Sequence, residues 1–156
     1  MNDTAMQSTD RIEKQVTLRA GRSRVWKALT DAKQFGEWFR VKLDGPFVAG
    51  QPVSGSILHP GYEHVRFTAW VEGIEPESYF SYRWHPYAID PAVDYNSEPT
   101  TLCEFRLADA PEGTLLTLVE SGFDALPPER RDVALRMNSG GWEAQLEKNI
   151  RAYVEA

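Results

Sequence analysis

Glu120 is the carboxylate of this chain best set to do chemistry. Strand alternation puts it in phase with Leu116 and Leu118, on an apolar face. A glutamate buried there unpaired would have its pKa raised by loss of water, which is how a carboxylic acid becomes a proton-transfer group. Glutamate is seldom fully buried, so a wet position at the strand end, beside Ser121-Gly122, is the expectation. Tyr82 is the second candidate for proton transfer. His59, His64 and His85 fall on no spacing of a metal-binding pair and are expected on loops or the surface. No Gly-x-Ser-x-Gly elbow occurs, and Ser56 and Ser139 have no histidine at a diagnostic position. Cys103 shares a strand face with Phe105 and Leu107, which makes it a small core hydrophobe and not a nucleophile. Arg130, Arg131 and Arg136 could hold an anionic group at a pocket mouth, although a solvated face is expected. No catalytic residue, metal site or cofactor is assigned, and the balance leans away from an enzyme.

The elements that must position these groups follow from hydrophobic period. Residues 11–18 alternate, with Ile12, Lys14, Val16 and Leu18 on one side, and form a first strand. The period then changes: Val25, Trp26 and Leu29 share one helical face and Phe35, Trp38 and Phe39 another. This predicts two short helices, the second capped by Thr30 or Asp31. Glycine and proline are dense over residues 41–61, so strands there are short, with 53–58 the best candidate. Residues 65–74 alternate and turn at Glu75-Pro76-Glu77 into 79–84, where Phe80, Tyr82 and Trp84 share a face. Strands 102–107 and 114–121 follow, joined at Ala110-Pro111-Glu112-Gly113. From residue 127 the chain is helical, with Trp142, Leu146, Ile150 and Tyr153 as its apolar stripe and Glu143, Glu147, Lys148, Arg151 and Glu155 on the wet side. Gly140-Gly141 marks either a break in this helix or a close approach to the sheet. The class is α+β: one antiparallel meander with the terminal helix as its cover.

The 156 residues suffice for one core without a disulfide or metal staple. A single cysteine suits a reducing cytoplasm. The net charge of −6 argues against a nucleic-acid partner, and no apolar run reaches the roughly 20 residues of a membrane span. Residues 1–10 are polar and mixed, unlike a secretion signal, and are expected as a flexible tail before a single domain over 11–156.

Val25-Trp26-Lys27-Ala28-Leu29-Thr30 with Trp38-Phe39, then Gly113-Thr114 leading to Glu120-Ser121-Gly122-Phe123, then Gly141-Trp142 followed by Leu146, resemble the activator-of-Hsp90-ATPase-homologue (AHSA1-like) branch of the START-like, or SRPBCC, superfamily. The resemblance spans about Arg11 to Val154. It implies a helix-grip: a curved antiparallel sheet wrapped around a long C-terminal helix, two short helices after the first strand, and an internal cavity between sheet and helix. The family usually has a leucine seven residues after the tryptophan of the Gly-Trp pair; Asn149 stands there, placing a polar group at the cavity or its rim.

Core filling is the ordinary fate of each ring taken singly, but with this fold the set Trp70, Phe80, Tyr82, Trp84, Phe105 and Trp142 is as well read as the wall of a ligand pocket. Cys103, Leu118, Glu120, Leu146 and Asn149 complete the candidate lining. Residues 85–99 form a long connection without period, and its Tyr87 and Tyr95 are candidates for a gate at the mouth. The expected function is binding or sensing of a small hydrophobic or aromatic molecule. The alternatives are a cyclase or dehydratase using Glu120, and a chaperone-contacting module like the Hsp90 activators.

Overall fold

The structure is a computed structural model describing residues 10–156; all of the expected N-terminal tail except Asp10 lies outside the described residues. Its strands are β1 (Arg11–Leu18), β2 (Val41–Leu43), β3 (Pro52–Ile57), β4 (Arg66–Glu75), β5 (Tyr79–Trp84), β6 (Thr101–Ala110) and β7 (Gly113–Ser121). They form one antiparallel sheet in the order β1-β7-β6-β5-β4-β3-β2. Helices α1 (Arg22–Thr30) and α2 (Ala32–Phe39) follow β1, and the Asp31 side chain caps α2 by accepting from the Gln34 amide at 3.0 Å. The terminal helix α3 runs as Pro128–Ala144, continues as a π-helical Gln145–Ile150 and ends as Arg151–Val154.

Alternation decides which face each strand buries. Val16 and Leu18, Phe67 and Ala69, Phe80 and Tyr82, Phe105 and Leu107, and Leu116 and Leu118 all turn inward and are buried. Gly113 makes the β6–β7 turn and has no room for a side chain, since a Cβ there would lie 2.2 Å from the Leu18 carbonyl oxygen. Its neighbour Thr114 is buried and donates to the Ala20 carbonyl at 2.7 Å, which ties β7 to the corner leading into α1. The Gly-Thr pair of the sequence is therefore a packing motif.

Two readings of α3 change. The helix passes through Gly140 and Gly141 without a break, and neither glycine approaches the sheet, since nothing lies within 4 Å of an added Cβ. The buried stripe is Trp142, Leu146, Ile150 and Val154, not Tyr153. Tyr153 lies half-buried at the rim, where its hydroxyl donates to Glu37 and the Arg24 guanidinium lies over its ring. A four-residue spacing overshoots an α-turn of 3.6 residues by about 40° per step, so the stripe would drift off the sheet. The wider π-turn over Gln145–Ile150 offsets that drift and keeps all four side chains inward.

Candidate functional site

A cleft of about 640 Å³ opens between β4 and β5, the 85–99 connection and the middle of α3. Its wall includes Phe39, Trp70, Trp84, Asn138 and Gln145; Tyr87 and Tyr95 line it from the connection, Tyr62 from the β3–β4 turn, and the exposed Met137 from α3. A second depression, of about 700 Å³, lies between α2 and β2, but no aromatic ring lines it.

Glu120 lies against this cleft and not in water. It is fully buried, which overturns the wet strand-end expectation. Its Oε2 accepts from the Trp84 indole at 2.7 Å and the Thr101 hydroxyl at 2.6 Å, and its Oε1 from the Trp142 indole at 2.8 Å. Asn138 Nδ2 donates to both oxygens, at 3.1 and 3.3 Å. Burial raises its pKa above the ordinary carboxylate value, and the four donors pull against that rise without cancelling it. The donors are neutral, so dipoles alone compensate this buried acid. Two of them, Trp84 and Asn138, also line the cleft.

Register carries the same row across the sheet: Tyr82 pairs with Cys103, and Cys103 with Glu120. Burial pushes both the Tyr82 hydroxyl and the Cys103 thiol well up in pKa. The Tyr82 hydroxyl has no hydrogen bond of ordinary geometry, the neighbouring thiol included. Neither group faces the cleft, so neither is placed to exchange a proton with a molecule in it.

Arg130 organises the 85–99 connection. An arginine in the first turn of a helix meets the positive end of the helix dipole, and this one turns away to the connection. It pairs with Glu98 at 3.0 Å, donates to the carbonyls of Pro86 at 2.8 Å and Tyr87 at 3.3 Å, and lies over the Tyr95 ring. Tyr87 has a left-handed φ of 50°, a costly conformation for a non-glycine residue, and this grip holds it there. The solvated role expected for Arg130 is thus corrected. On the other side His64 Nε2 meets the Ile89 carbonyl at 3.0 Å, joining the β3–β4 turn to the connection.

The candidate lining therefore divides. Trp70 and Trp84 line the cleft, with Tyr87 and Tyr95. Phe80, Tyr82, Cys103, Phe105, Leu118 and Leu146 are buried in the core between the sheet and the helices, and Trp142 and Glu120 form the polar contact behind the cleft wall. Asn149 donates to Gln145 Oε1 at 2.8 Å and touches the cleft only through that residue. Asn138 and Thr101 are not among the residues that the sequence singles out, and Arg130 is there only as a possible holder of an anionic group. The first two were within reach of periodicity: Asn138 lies four residues before Trp142 on its stripe, and Thr101 is in phase with Cys103. Among the described residues no group of three His, Cys, Asp or Glu side chains is placed to hold a metal ion, and no helix is long and apolar enough to cross a membrane.

Solved structures share this architecture. MLL2253 from Mesorhizobium loti is 23% identical, with 92% of this chain and 95% of that one covered and a TM-score of 0.71. DynU16, from the dynemicin biosynthetic locus, is 21% identical over 94% of this chain and 48% of its own, with a TM-score of 0.72. The Aha1 dimer from Colwellia psychrerythraea is 14% identical over 93% and 96%, with a TM-score of 0.70. At these identities the likeness is one of fold. No curated protein matches. The family model described as Activator of Hsp90 ATPase homolog 1-like protein matches residues 19–155, nearly the whole sheet and helix, and the chain belongs to that family, on the SRPBCC helix-grip fold.

Proposed function

We propose that the protein binds a small hydrophobic or aromatic molecule in the cleft and does not transform it. The observation that carries this reading is the ring-lined cleft of about 640 Å³, whose Trp84 wall is bonded to Glu120 behind it. Such a volume suits a small organic ligand, and apolar walls with a few placed polar groups are the usual make-up of its site. A neighbour from a biosynthetic locus is in keeping with a small-molecule ligand. Cyclase or dehydratase chemistry through Glu120 is disfavoured, because its oxygens are occupied by four side-chain donors and it is fully buried. A cytoplasmic setting stays our reading, from the lone buried cysteine.

A second reading rests on the rim. Tyr62, Val93 and Met137 are exposed large apolar side chains that also line the cleft, and a protein partner such as the chaperone in the family's name would cover them. Native mass spectrometry of the protein isolated from its own source separates the two. A small molecule retained by the parent and lost on Trp84→Ala supports the ligand reading, and a co-purifying protein lost on Val93→Asp supports the second. Isolation with neither would count against both.

A further inference from the structure

The amide of Asn138 carries information about the ligand that the apolar wall does not. Its Nδ2 donates to both oxygens of Glu120. A carboxylate only accepts, so the amide nitrogen must face it and Oδ1 must turn elsewhere. Oδ1 has no protein donor among the described residues, it is not a closed-off buried atom, and its residue lines the cleft. Three other polar groups of the wall are already paired, and His85 Nδ1 is not. Trp84 donates to Glu120, the Thr68 hydroxyl pairs with Ser54 at 2.9 Å, and Gln145 donates to the Phe39 carbonyl while accepting from Asn149. His85 lies edge-on to Trp70, with its Nδ1 shut off from solvent. Asn138 thus presents an oriented acceptor in the lining of the cleft, with a buried carboxyl group directly behind it.

We infer that the cleft selects aromatic ligands carrying a hydroxyl or amino hydrogen-bond donor, received by Asn138 Oδ1, with Glu120 as the positioning residue that holds the amide. The inference rests on the ligand reading above and adds a donor group to the apolar body. A ligand without a donor strips water from Oδ1 and returns nothing, which costs affinity. An anionic ligand meets both Oδ1 and the Glu120 carboxylate and is disfavoured.

The test titrates 2-naphthol and 2-methoxynaphthalene calorimetrically at neutral pH, where both are uncharged and alike in ring and only one donates. The parent should bind 2-naphthol about three- to tenfold more tightly, the yield of one neutral hydrogen bond. Asn138→Leu should bring that ratio near one, because no acceptor is left either to receive the hydroxyl of one probe or to lose water to the other. Glu120→Gln should also lower the ratio, because a glutamine can pair with either end of the Asn138 amide; a purely structural role for Glu120 would weaken both probes alike and leave the ratio standing. If Glu120→Gln does not fold, the parent and Asn138→Leu still decide whether Oδ1 selects donors. Equal affinities in the parent, or a ratio that survives Asn138→Leu, overturn the inference and leave the cleft reading intact. Failure of both probes to bind overturns the cleft reading and this inference together.

Discussion

The indole N–H of Trp84 donates to Glu120 at 2.7 Å, so a wall of the cleft is bonded directly to a carboxyl group that solvent does not reach. Trp142 grips the other oxygen from α3, and the two indoles lie 5.7 Å apart, tilted by 33°. Sheet and terminal helix are joined through this one carboxyl group, beside the opening where a ligand would sit.

Trp142 should therefore matter twice, as bulk and as donor. Trp142→Ala should cost about 3–5 kcal/mol in denaturant melts, the range for loss of a buried aromatic. Trp142→Phe keeps most of the bulk and removes one bond to a charged acceptor, for about 1.5–3 kcal/mol. A Phe variant as stable as the parent would show that the bond contributes nothing net.

The sign of the pH dependence follows from burial. Glu120 has a folded pKa above its ordinary 4.5, so the folded state binds the proton more tightly than the unfolded chain does. Its contribution is absent below 4.5 and becomes increasingly unfavourable as pH rises from there through the raised value. Stability curves of the parent and Glu120→Gln should diverge in slope across that window, the parent losing stability relative to the variant as pH rises. Parallel curves there would contradict the raised pKa.

Arg130→Ala should release the 85–99 connection. Its pair with Glu98 is mostly shielded, with side-chain exposures of 18% and 15%, and two carbonyls lose their donor as well. The expected cost is about 1–3 kcal/mol, with faster hydrogen exchange confined to residues 85–99. Unchanged exchange in that segment would mean that Arg130 does not hold it.

Tyr87 and Tyr95 line the cleft from that connection and are only half-buried. The double variant Tyr87→Ala/Tyr95→Ala should weaken binding of the apolar dye Nile red while changing global stability by less than about 1 kcal/mol. Parent-like dye affinity removes the gate role; a large loss of stability would make the rings part of the core.

Cys103 is fully buried and its thiol is pushed well above the ordinary value by burial, with the Glu120 charge adding to the shift. Labelling by a thiol reagent under native conditions should be limited by unfolding. Reaction within seconds would show access that this packing denies.

How much of this was legible beforehand depended on the range of the interaction concerned. Period two and period 3.6 reach only a few residues along the chain, and they sufficed for every strand but β2, for the two short helices and for the inward faces of those strands, while residue type narrowed the cap to Thr30 or Asp31. They also put Glu120 on the inner face, because phase is a local property. Whether that face was wet or dry there was not local. It was decided by Thr101, 19 residues away along the chain, Trp84, 36 away, and Asn138 and Trp142 on the covering helix, which arrive together only when sheet and helix pack. The division of the aromatic set has the same cause. Phe80 and Trp84 stand in identical phase on β5, yet Phe80 lies at 0% exposure against Trp26 of α1 and Phe47, while Trp84, 5.7 Å from Trp142 of α3, keeps part of its surface on the cleft. The course of α3 through Gly140-Gly141, and the π-turn beyond it, likewise answer to the sheet: only its surface requires four side chains at four-residue spacing to point the same way. Sequence determined what each element could bury, and tertiary packing decided which buried groups would meet one another and which would be left facing an opening.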